Sequence, residues 1–360
     1  MDDATARSIV LEAFRTYEPR QEPRTIEAAR VPVSTNRVYR LTFASRPNVF
    51  AKLSSYGSFV HFRQDHQRIE QWRRLLAPTR YASFLAPVLC TDDDDVFTYH
   101  SGEAWVVFYG ESPIRACLPR ILSERQVETF ALEMGRWHRA CREIAGDVLP
   151  TWKTVGSDIA ILFDGLGSEG WLAERGIDRG EAKYLRDHCN LFLKNAERLG
   201  YFGFQKLPLL IDWNIGNFSV TDTSDRVELF SRWDYDWFRI EPVAMDFYFL
   251  SRAVSAIGDR TVFSYGPRTF LDPRFRRFLQ AYRSEFAITE AELRLAKESY
   301  RFFVLNYVVL SGQYFFQPEL WTRLVREAIE QYLPELDRIE LDDVFTASRA
   351  SSRGELTPGG

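Results

Sequence analysis

The sequence has few cysteines, and they are not arranged for metal binding or for cross-linking. Its 360 residues include four, at positions 90, 117, 141 and 189, with no Cys-x-x-Cys pair and no histidine at zinc spacing. A zinc site and a disulfide-stabilised secreted scaffold are therefore disfavoured. An excess of positive charge is also absent, because 46 Lys and Arg face 50 Asp and Glu and leave a net charge of -4. Without a basic field to attract a phosphate backbone, no nucleic-acid partner is expected.

Long apolar runs are missing as well. The most apolar stretch, Phe302 to Leu310, is interrupted by Asn306 and is far shorter than the ~20 residues that a membrane span needs. The first residues, MDDATARSIV, lack the charged-then-apolar pattern of a signal peptide. We therefore expect a soluble, cytoplasmic protein with no membrane partner. The length suggests roughly two folded units.

The first third of the chain is rich in β-type patterns. Residues 38–43 and 49–53 flank a turn that contains Pro47 and Asn48, which predicts an antiparallel hairpin. Two further strands are predicted near residues 86–89 and 105–109. A helix is predicted between the two pairs of strands, over residues 59–76.

The rest of the chain is mostly helical. Ser123 and Gln126 form a capping box ahead of a helical apolar stripe, and residues 180–199 predict another helix. One hairpin, at residues 216–220 and 227–230, interrupts this pattern. We divide the chain into four parts, which are an N-terminal helix (1–24), a small lobe (25–111), a larger helical lobe (112–346) and a flexible tail (347–360).

The hairpin of the helical half carries the most informative residues. Asp212 and Asn217 precede it in the pattern D-x(4)-N, and Asp234 follows it. The hairpin brings these three oxygen-bearing side chains to one end of a two-stranded ribbon. Mg²⁺ prefers a few such oxygens together with water and phosphates, and phosphoryl transfer also needs a carboxylate to orient the attacking hydroxyl. By itself D-x(4)-N is a weak pattern, because Asp and Asn also favour turns and caps.

With its context, the pattern resembles the aminoglycoside phosphotransferase/choline kinase family of the protein-kinase-like superfamily. The family's catalytic loop reads roughly H-G-D-x(4)-N, and its later I-D-[WF]-[DE] is matched from Asp234 to Asp236. The resemblance implies that Asp212 is the catalytic base and that Asn217 and Asp234 bind the metal. Asp246, in the motif P-x(3)-D-F, would anchor the catalytic loop from below. The implied fold is α+β and bilobal, with a small β-rich lobe and a larger helical lobe.

Upstream, the resemblance covers the nucleotide-binding residues. Lys52 stands where the family keeps the lysine that contacts the nucleotide phosphates, and residues 33–36 stand at the loop over the phosphates. The acid that pairs with Lys52 is not fixed by a motif. Asp65 lies near the centre of the apolar face of its helix and is preferred as a cofactor-binding residue, while Glu70 stays open as the alternative.

The resemblance implies an ATP- and Mg²⁺-dependent kinase that phosphorylates a hydroxyl of an aminoglycoside, an amino sugar, a choline-like molecule or a related alcohol. The net charge of -4 is weakly consistent with a cationic acceptor. The sequence departs from the family pattern at one place, where Leu210 and Ile211 replace the family's His-Gly. This departure leaves a second interpretation of the function open. The alternative is a catalytically weak or inactive kinase-fold protein that serves as a binding or scaffold protein. The oligomeric state cannot be read from the sequence.

Overall fold

The structure is a computed structural model that describes residues 1–29, 37–102, 104–222, 225–258 and 263–346. Its N-terminal part contains a five-stranded antiparallel sheet with the strand order β1-β2-β3-β5-β4. The strands are β1 (Thr25–Ala29), β2 (Arg37–Thr42), β3 (Val49–Ser54), β4 (Thr98–Ser101) and β5 (Ala104–Gly110). The helices of this part are α1 (Asp3–Tyr17) and α2 (Phe59–Leu75).

The predicted hairpin is present as β2 and β3, and it places Lys52 in the interior of the sheet. Lys52 lies opposite Val38 on one neighbouring strand and opposite Val107 on the other. The prediction of a strand at residues 86–89 is wrong. This segment makes isolated bridges, such as the one from Val88 to Tyr109, and does not form a ladder. Pro87 has no N–H to donate, which limits pairing there, and residues 98–101 form the edge strand instead.

The two helices cover opposite faces of the sheet. Side chains alternate between the faces along a strand, so Val106 and Phe108 pack in the core that contains α1. Val107 and Tyr109 point to the other side, into the main core that contains Ile69 and Trp72 of α2. The N-terminal helix therefore shares a core with the sheet.

The C-terminal part is a larger helical assembly. The predicted capping box of α3 is present, since Ser123 Oγ accepts from Gln126 N and the Gln126 side chain accepts from Ser123 N. Its helices are α3 (Glu124–Ile144), α4 (Val155–Gly165), α5 (Glu169–Arg175), α6 (Arg179–Leu199), α7 (Phe247–Val254), α8 (Pro273–Glu285), α9 (Glu290–Phe303), α10 (Pro318–Glu327), α11 (Leu333–Arg338) and α12 (Asp342–Thr346). The segments Val304–Leu310 and Ala328–Tyr332 are π-helical.

Two small antiparallel ribbons are set into the helical part. They pair β6 (Leu207–Leu209) with β9 (Arg239–Glu241), and β7 (Phe218–Val220) with β8 (Leu229–Arg232). The second ribbon is the predicted hairpin. A small antiparallel sheet followed by a larger helical region confirms the predicted α+β class. The predicted boundaries at residues 24/25 and 111/112 stay predictions, and the predicted tail, 347–360, lies outside the described residues.

No described helix is both long enough and apolar enough to cross a membrane.

Candidate active site

The loop between β6 and β7 brings Asp212 and Asn217 together. Asn217 Nδ2 donates to Asp212 Oδ2 at 2.9 Å, and the backbone N–H of Asn214 donates to Asp212 Oδ1 at 3.1 Å. A single turn of 3₁₀-helix, Ile215–Asn217, closes the spacing between the two side chains. The five-residue separation in the sequence therefore becomes direct contact, and the carboxylate is held in one orientation.

Asp246 supports this loop from inside the core. Its carboxylate is fully buried and accepts hydrogen bonds from Ile211 N at 2.9 Å and from Trp213 Nε1 at 2.6 Å. His138 Nε2 donates to the same carboxylate at 3.0 Å, and His138 Nδ1 lies 2.8 Å from the hydroxyl of Tyr282. The predicted anchoring role of Asp246 is thus confirmed, and His138 is a packed, hydrogen-bonded core residue.

The residue before Asp212 has an unusual backbone conformation. Ile211 has a φ of 60°, and the N–H of Asp212 donates to the carbonyl of Leu210 at 2.7 Å, which closes a tight γ-type turn. Positive φ is an outlier for a β-branched residue, and such strain costs about 1–3 kcal/mol. Leu210-Ile211 thus replaces the His-Gly of the resembling family at a position where glycine would be unstrained.

Asp234 stands on the facing loop, two residues after the end of β8. It is another non-glycine residue at positive φ, with a value of 102°, and its side chain is 40% exposed. The backbone N–H of Asp236 donates to Asp234 Oδ1 at 3.1 Å. The carboxylate of Asp234 is therefore presented to the space between the two loops.

A buried arginine, which the sequence reasoning missed, joins the two loops. Arg232 Nη2 donates to the backbone carbonyl of Asp212 at 2.8 Å, and Arg232 Nε donates to the carbonyl of Asp234 at 3.2 Å. Burial lowers the pKa of this guanidinium, and the carboxylates of Asp212 and Asp234 oppose that effect. A charged residue at the end of an apolar β run is a signal of a buried partner, and it was available in the sequence.

Lys52 reaches the same place from the small sheet. It is 7% exposed, and its ammonium forms an ion pair with Asp236 and lies 3.9 Å from Asp234 Oδ1. Burial raises the pKa of the Asp236 carboxyl to about 6, although the adjacent Lys52 acts in the opposite direction.

The expected ion pair between Lys52 and Asp65 is not formed. Asp65 pairs instead with Lys153, a buried lysine on the chain segment between α3 and α4. Glu70, the alternative partner, accepts from Arg73 at 2.7 Å and from Arg74 at 2.8 Å. A helical wheel identifies the face on which Asp65 lies, but it does not reveal which cation of the large lobe covers that face.

The donor atoms at this site suit a hard divalent cation. Asn217 uses its side-chain nitrogen for Asp212, which leaves its carboxamide oxygen available, and Asp234 adds a carboxylate. Within the described ranges, no group of three or more His, Cys, Asp or Glu side chains is arranged to hold a metal by itself. Two protein oxygens would leave positions for water and phosphate, as is usual for Mg²⁺. The predicted phosphate loop, residues 33–36, lies outside the described residues.

A cavity of about 400 Å³ opens beside Lys52 and Asp236. It is walled by α2 on one side and by α4, α5 and the 310–314 segment on the other. Charged and aromatic residues dominate its lining; examples are Asp65, Lys153, Asp158, Trp171 and Tyr314. A small polar molecule would fit between the small sheet and the helical region.

The comparisons with known proteins found similarity in the fold but not in the sequence. No family model and no curated protein matches the sequence. Among solved structures, an amicoumacin kinase in complex with AMP-PNP, Ca²⁺ and Ami has a TM-score of 0.62 at 14% identity, and the alignment covers 94% of this chain and 96% of that one. A microcompartment-associated aminopropanol kinase has a TM-score of 0.58 at 16% identity, with 92% and 98% covered.

An aminoglycoside 2'-phosphotransferase in its GDP complex is also similar. Its TM-score is 0.52 at 12% identity, and the alignment covers 96% of this chain and all of that one. Such full-length coverage shows that the chain has the fold of small-molecule kinases and aminoglycoside phosphotransferases. The resemblance inferred from the motifs is thereby confirmed at the level of the fold.

Proposed function

We propose that the protein is an ATP- and Mg²⁺-dependent kinase that transfers the γ-phosphate to a hydroxyl group of a small molecule. The observation that carries this proposal is the contact of Asp212 with Asn217, at 2.9 Å, beside the carboxylate of Asp234. Arg232 hydrogen-bonds both loops and keeps these side chains at one place. The fold of the small-molecule kinases described above supports the same reaction class.

Each residue has a separate role in this proposal. Asp212 orients the acceptor hydroxyl and takes its proton, because its own orientation is fixed by Asn217 and by the backbone of Asn214. Asn217 and Asp234 hold Mg²⁺, which supplies charge neutralisation at the phosphates when bound. Lys52 contacts the α- and β-phosphates, and Asp236 holds its ammonium at the mouth of the cleft. Sites of this type act mainly by positioning and by charge stabilisation.

We propose a small alcohol as the acceptor, and the cavity beside Lys52 as the space into which it extends. The similar structures are kinases of amicoumacin, aminopropanol and aminoglycosides by name, which favours an acceptor that also carries amines. The cavity lends this charge preference little support. Asp65, Asp158 and Asp236 line it, but Lys153, Arg239 and Lys52 already neutralise them.

The first test is nucleotide binding, measured as the rise in Tm of the wild type with ATP, with and without Mg²⁺. A ligand that binds the folded state stabilises it in proportion to the logarithm of its concentration over Kd. We expect a Mg²⁺-dependent rise that is lost in Asp234→Ala and kept in Asp93→Ala, a control at an exposed loop tip. If no nucleotide raises the Tm of the wild type, the scaffold alternative replaces this proposal.

The second test is product mass after incubation with ATP and a panel of hydroxylated amines and alcohols. A phosphate added to the acceptor supports the proposed transfer. An adenylate added to any substrate, including the protein itself, would instead identify nucleotidyl transfer by the same fold.

A further inference from the structure

Two lysines and one arginine line the cavity described above, and both lysines are paired inside it. Lys52 forms its ion pair with Asp236, and Lys153 forms a buried ion pair with Asp65. The arginine is Arg175, which belongs to α5. Its pairing therefore decides whether the cavity offers a positive charge to a ligand.

Among the described residues, Arg175 has no buried acid as a partner. Its side chain is 3% exposed, whereas the side chain of Glu174, whose carboxylate lies 3.3 Å from Arg175 Nη1, is 74% exposed. Nη1 also donates to the carbonyl of Trp171 at 3.3 Å, and Nε has no hydrogen-bond partner in the described part of the chain. Both distances exceed the roughly 2.7–2.9 Å of a charge-assisted hydrogen bond. Burial of a charge with so little compensation is costly, which favours a ligand that supplies the missing negative charge.

Two indole rings fix the direction of the Arg175 side chain. Its guanidinium carbon lies 3.9 Å from the centre of the Trp171 ring and 5.5 Å from that of Trp321. Each indole packs directly on a glycine, because a Cβ at Gly165 would lie 2.8 Å from the Trp171 ring and a Cβ at Gly312 would lie 2.6 Å from the Trp321 ring. A guanidinium stacked on aromatic faces presents its N–H groups in its own plane, where a carboxylate accepts two of them at once.

We infer that Arg175 binds a carboxylate of the small molecule that occupies the cavity. The inference deepens the proposed function and rests on it for the identity of this molecule as the phosphoryl acceptor. The acceptor is then a hydroxy acid or a hydroxyl-bearing amino acid, and not a purely cationic amino alcohol. Its carboxylate occupies the α5 wall, and the rest of the molecule extends towards Lys52 and Asp236, which line the same cavity of about 400 Å³.

A carboxylate of the acceptor is favoured over a phosphate of the nucleotide by the place of Arg175 in the fold. Arg175 lies on the wall that the helical region forms. The groups proposed to contact the phosphates lie elsewhere, with Lys52 on β3 and the metal ligands Asn217 and Asp234 on the two facing loops.

The direct test compares ligands that differ only by a carboxylate. Free serine and homoserine are the carboxylated probes, and ethanolamine and 3-aminopropanol are the same molecules without the carboxylate. Calorimetry is performed without nucleotide and again with Mg²⁺ and a non-hydrolysable ATP analogue. We expect a carboxylated probe to bind at least about tenfold more tightly than its matched amine, because a hydrogen bond to a charged group contributes more than a neutral one. Equal affinities within both pairs, or binding of no probe under either condition, would overturn the inference.

Variants of the two neighbouring charges should act in opposite directions. Arg175→Gln should reduce the difference within a probe pair to less than about twofold, because the charged donors are lost. Glu174→Gln removes an exposed acid that competes with the ligand, and it should tighten binding of the carboxylated probe by about two- to fivefold. Arg179→Gln is the matched control, since Arg179 begins α6 and its side chain is 83% exposed. A preference for the carboxylate that survives in Arg175→Gln contradicts the inference.

A structural role for Arg175 predicts a different result in urea. Replacing a poorly compensated buried charge with an apolar side chain of similar volume is often neutral or stabilising. Arg175→Met without ligand should therefore unfold at the urea concentration of the wild type or above it. A lower midpoint with an unchanged ligand preference would assign Arg175 to the packing of the two indoles and overturn the inference. If no variant of Arg175 folds, Glu174→Gln decides, and unchanged binding of the carboxylated probe counts against the inference.

Failure of this inference and failure of the proposed function give different results. Phosphate transfer with equal kcat/KM to both members of a probe pair would keep the kinase and discard the carboxylate site. Selective binding of the carboxylated probe without any transfer would keep the carboxylate site and discard the kinase. Weaker binding of Mg²⁺-ATP by Arg175→Gln, with the preference within the probe pairs unchanged, would assign Arg175 to the nucleotide phosphates and overturn the inference.

Discussion

The two loops that meet at the candidate site obtain their shape from different sources. The loop before β7, which carries Asp212, is held by the buried carboxylate of Asp246. Its supports therefore come from the large lobe. The loop after β8, which carries Asp234, depends partly on the small lobe. Lys52 pairs with Asp236, and the hydroxyl of Tyr235 accepts from the N–H of Ala86 at 2.7 Å.

Because of this difference, the residue proposed for catalysis and the residue proposed for metal and nucleotide binding are supported by different parts of the molecule. The carboxylate proposed as the base is preformed by the helical core and does not require the small sheet. The carboxylate proposed for the metal is exposed and stands beside a lysine of the small sheet, so its surroundings change when the lobes move. Substitutions at the two loops should therefore have separable effects, and the following experiments test that separation.

The largest effect is expected at the first loop, from Asp212→Ala. Loss of a general base typically costs about 10²–10⁴ in rate, and kcat should fall by that factor once an acceptor is identified. The affinity for Mg²⁺-ATP should change little, because Lys52 and Asp234 are untouched. Steady-state kinetics and calorimetry measure the two quantities, with the exposed Asp187 on α6 as the site of a control substitution. Equal kcat in variant and wild type would discard the assignment of Asp212.

The next effect concerns the support of the first loop. Asp246→Ala leaves the N–H of Ile211, the indole N–H of Trp213 and His138 without their shared acceptor. Breaking a buried polar network of this type costs about 3–5 kcal/mol, which urea unfolding at pH 7 should register. Asp246→Asn keeps part of the acceptor capacity and should lose less. A loss under about 1 kcal/mol in the alanine variant would mean that the loop is held by other contacts.

The contribution of the second loop is tested by the pH dependence of the free energy of unfolding. The pKa of Asp236 is about 6 in the folded protein against an ordinary value of 3.8, so the folded state binds the proton more tightly between these values. The free energy of unfolding then falls as pH rises from about 4 to 6.5. In Asp236→Asn this fall disappears, and we expect the two stability profiles to differ by about 1–3 kcal/mol across the window. Parallel profiles would show that Lys52 keeps Asp236 ionised throughout.

The smallest effect comes from the strained residue of the first loop. At most buried positions alanine is more stable than glycine, but Ile211 has a φ of 60°. Relief of the Cβ clash there favours glycine by about 1 kcal/mol. Ile211→Gly should therefore unfold at higher urea concentration than Ile211→Ala. The same pair of substitutions at the buried Ile215 serves as the control and should show the reverse order. Alanine above glycine at both positions would argue against strain at Ile211.

Local patterns in the sequence predicted local structure well. The β2–β3 hairpin, the capping box of α3 and the β7–β8 ribbon follow from residue spacing and turn chemistry. The anchoring by Asp246 was expected only from the resemblance to the kinase family. In the hairpin, the capping box and the ribbon, the relevant partner is near in sequence, whereas Asp246 lies 35 residues from Ile211.

The partner of Lys52 could not be predicted in this way. The choice between Asp65, Glu70 and Asp236 depends on which distant cations are buried beside each acid, and Lys153 lies 88 residues from Asp65 along the chain. The sequence does not show that these two charges are covered by the same core. Arg232 is a different case, because its position at the end of an apolar β run indicated a buried partner, but its partners are backbone carbonyls, which the sequence does not identify.

The hydrogen bonds of α2 with residues 147–153, which connect α3 to α4, also have a mechanical consequence. Hydrogen bonds spaced from Gln64 to Gln71 resist any sliding of the helix along the large lobe. If the cleft opens, we expect a rotation about an axis near this contact, with the far edge of the sheet, at β1, travelling the greatest distance. Such hinge motions take place in microseconds to milliseconds. Distance labels placed on β1 and on α6 would record the full amplitude of opening, whereas labels on α2 and on residues 147–153 would record almost none.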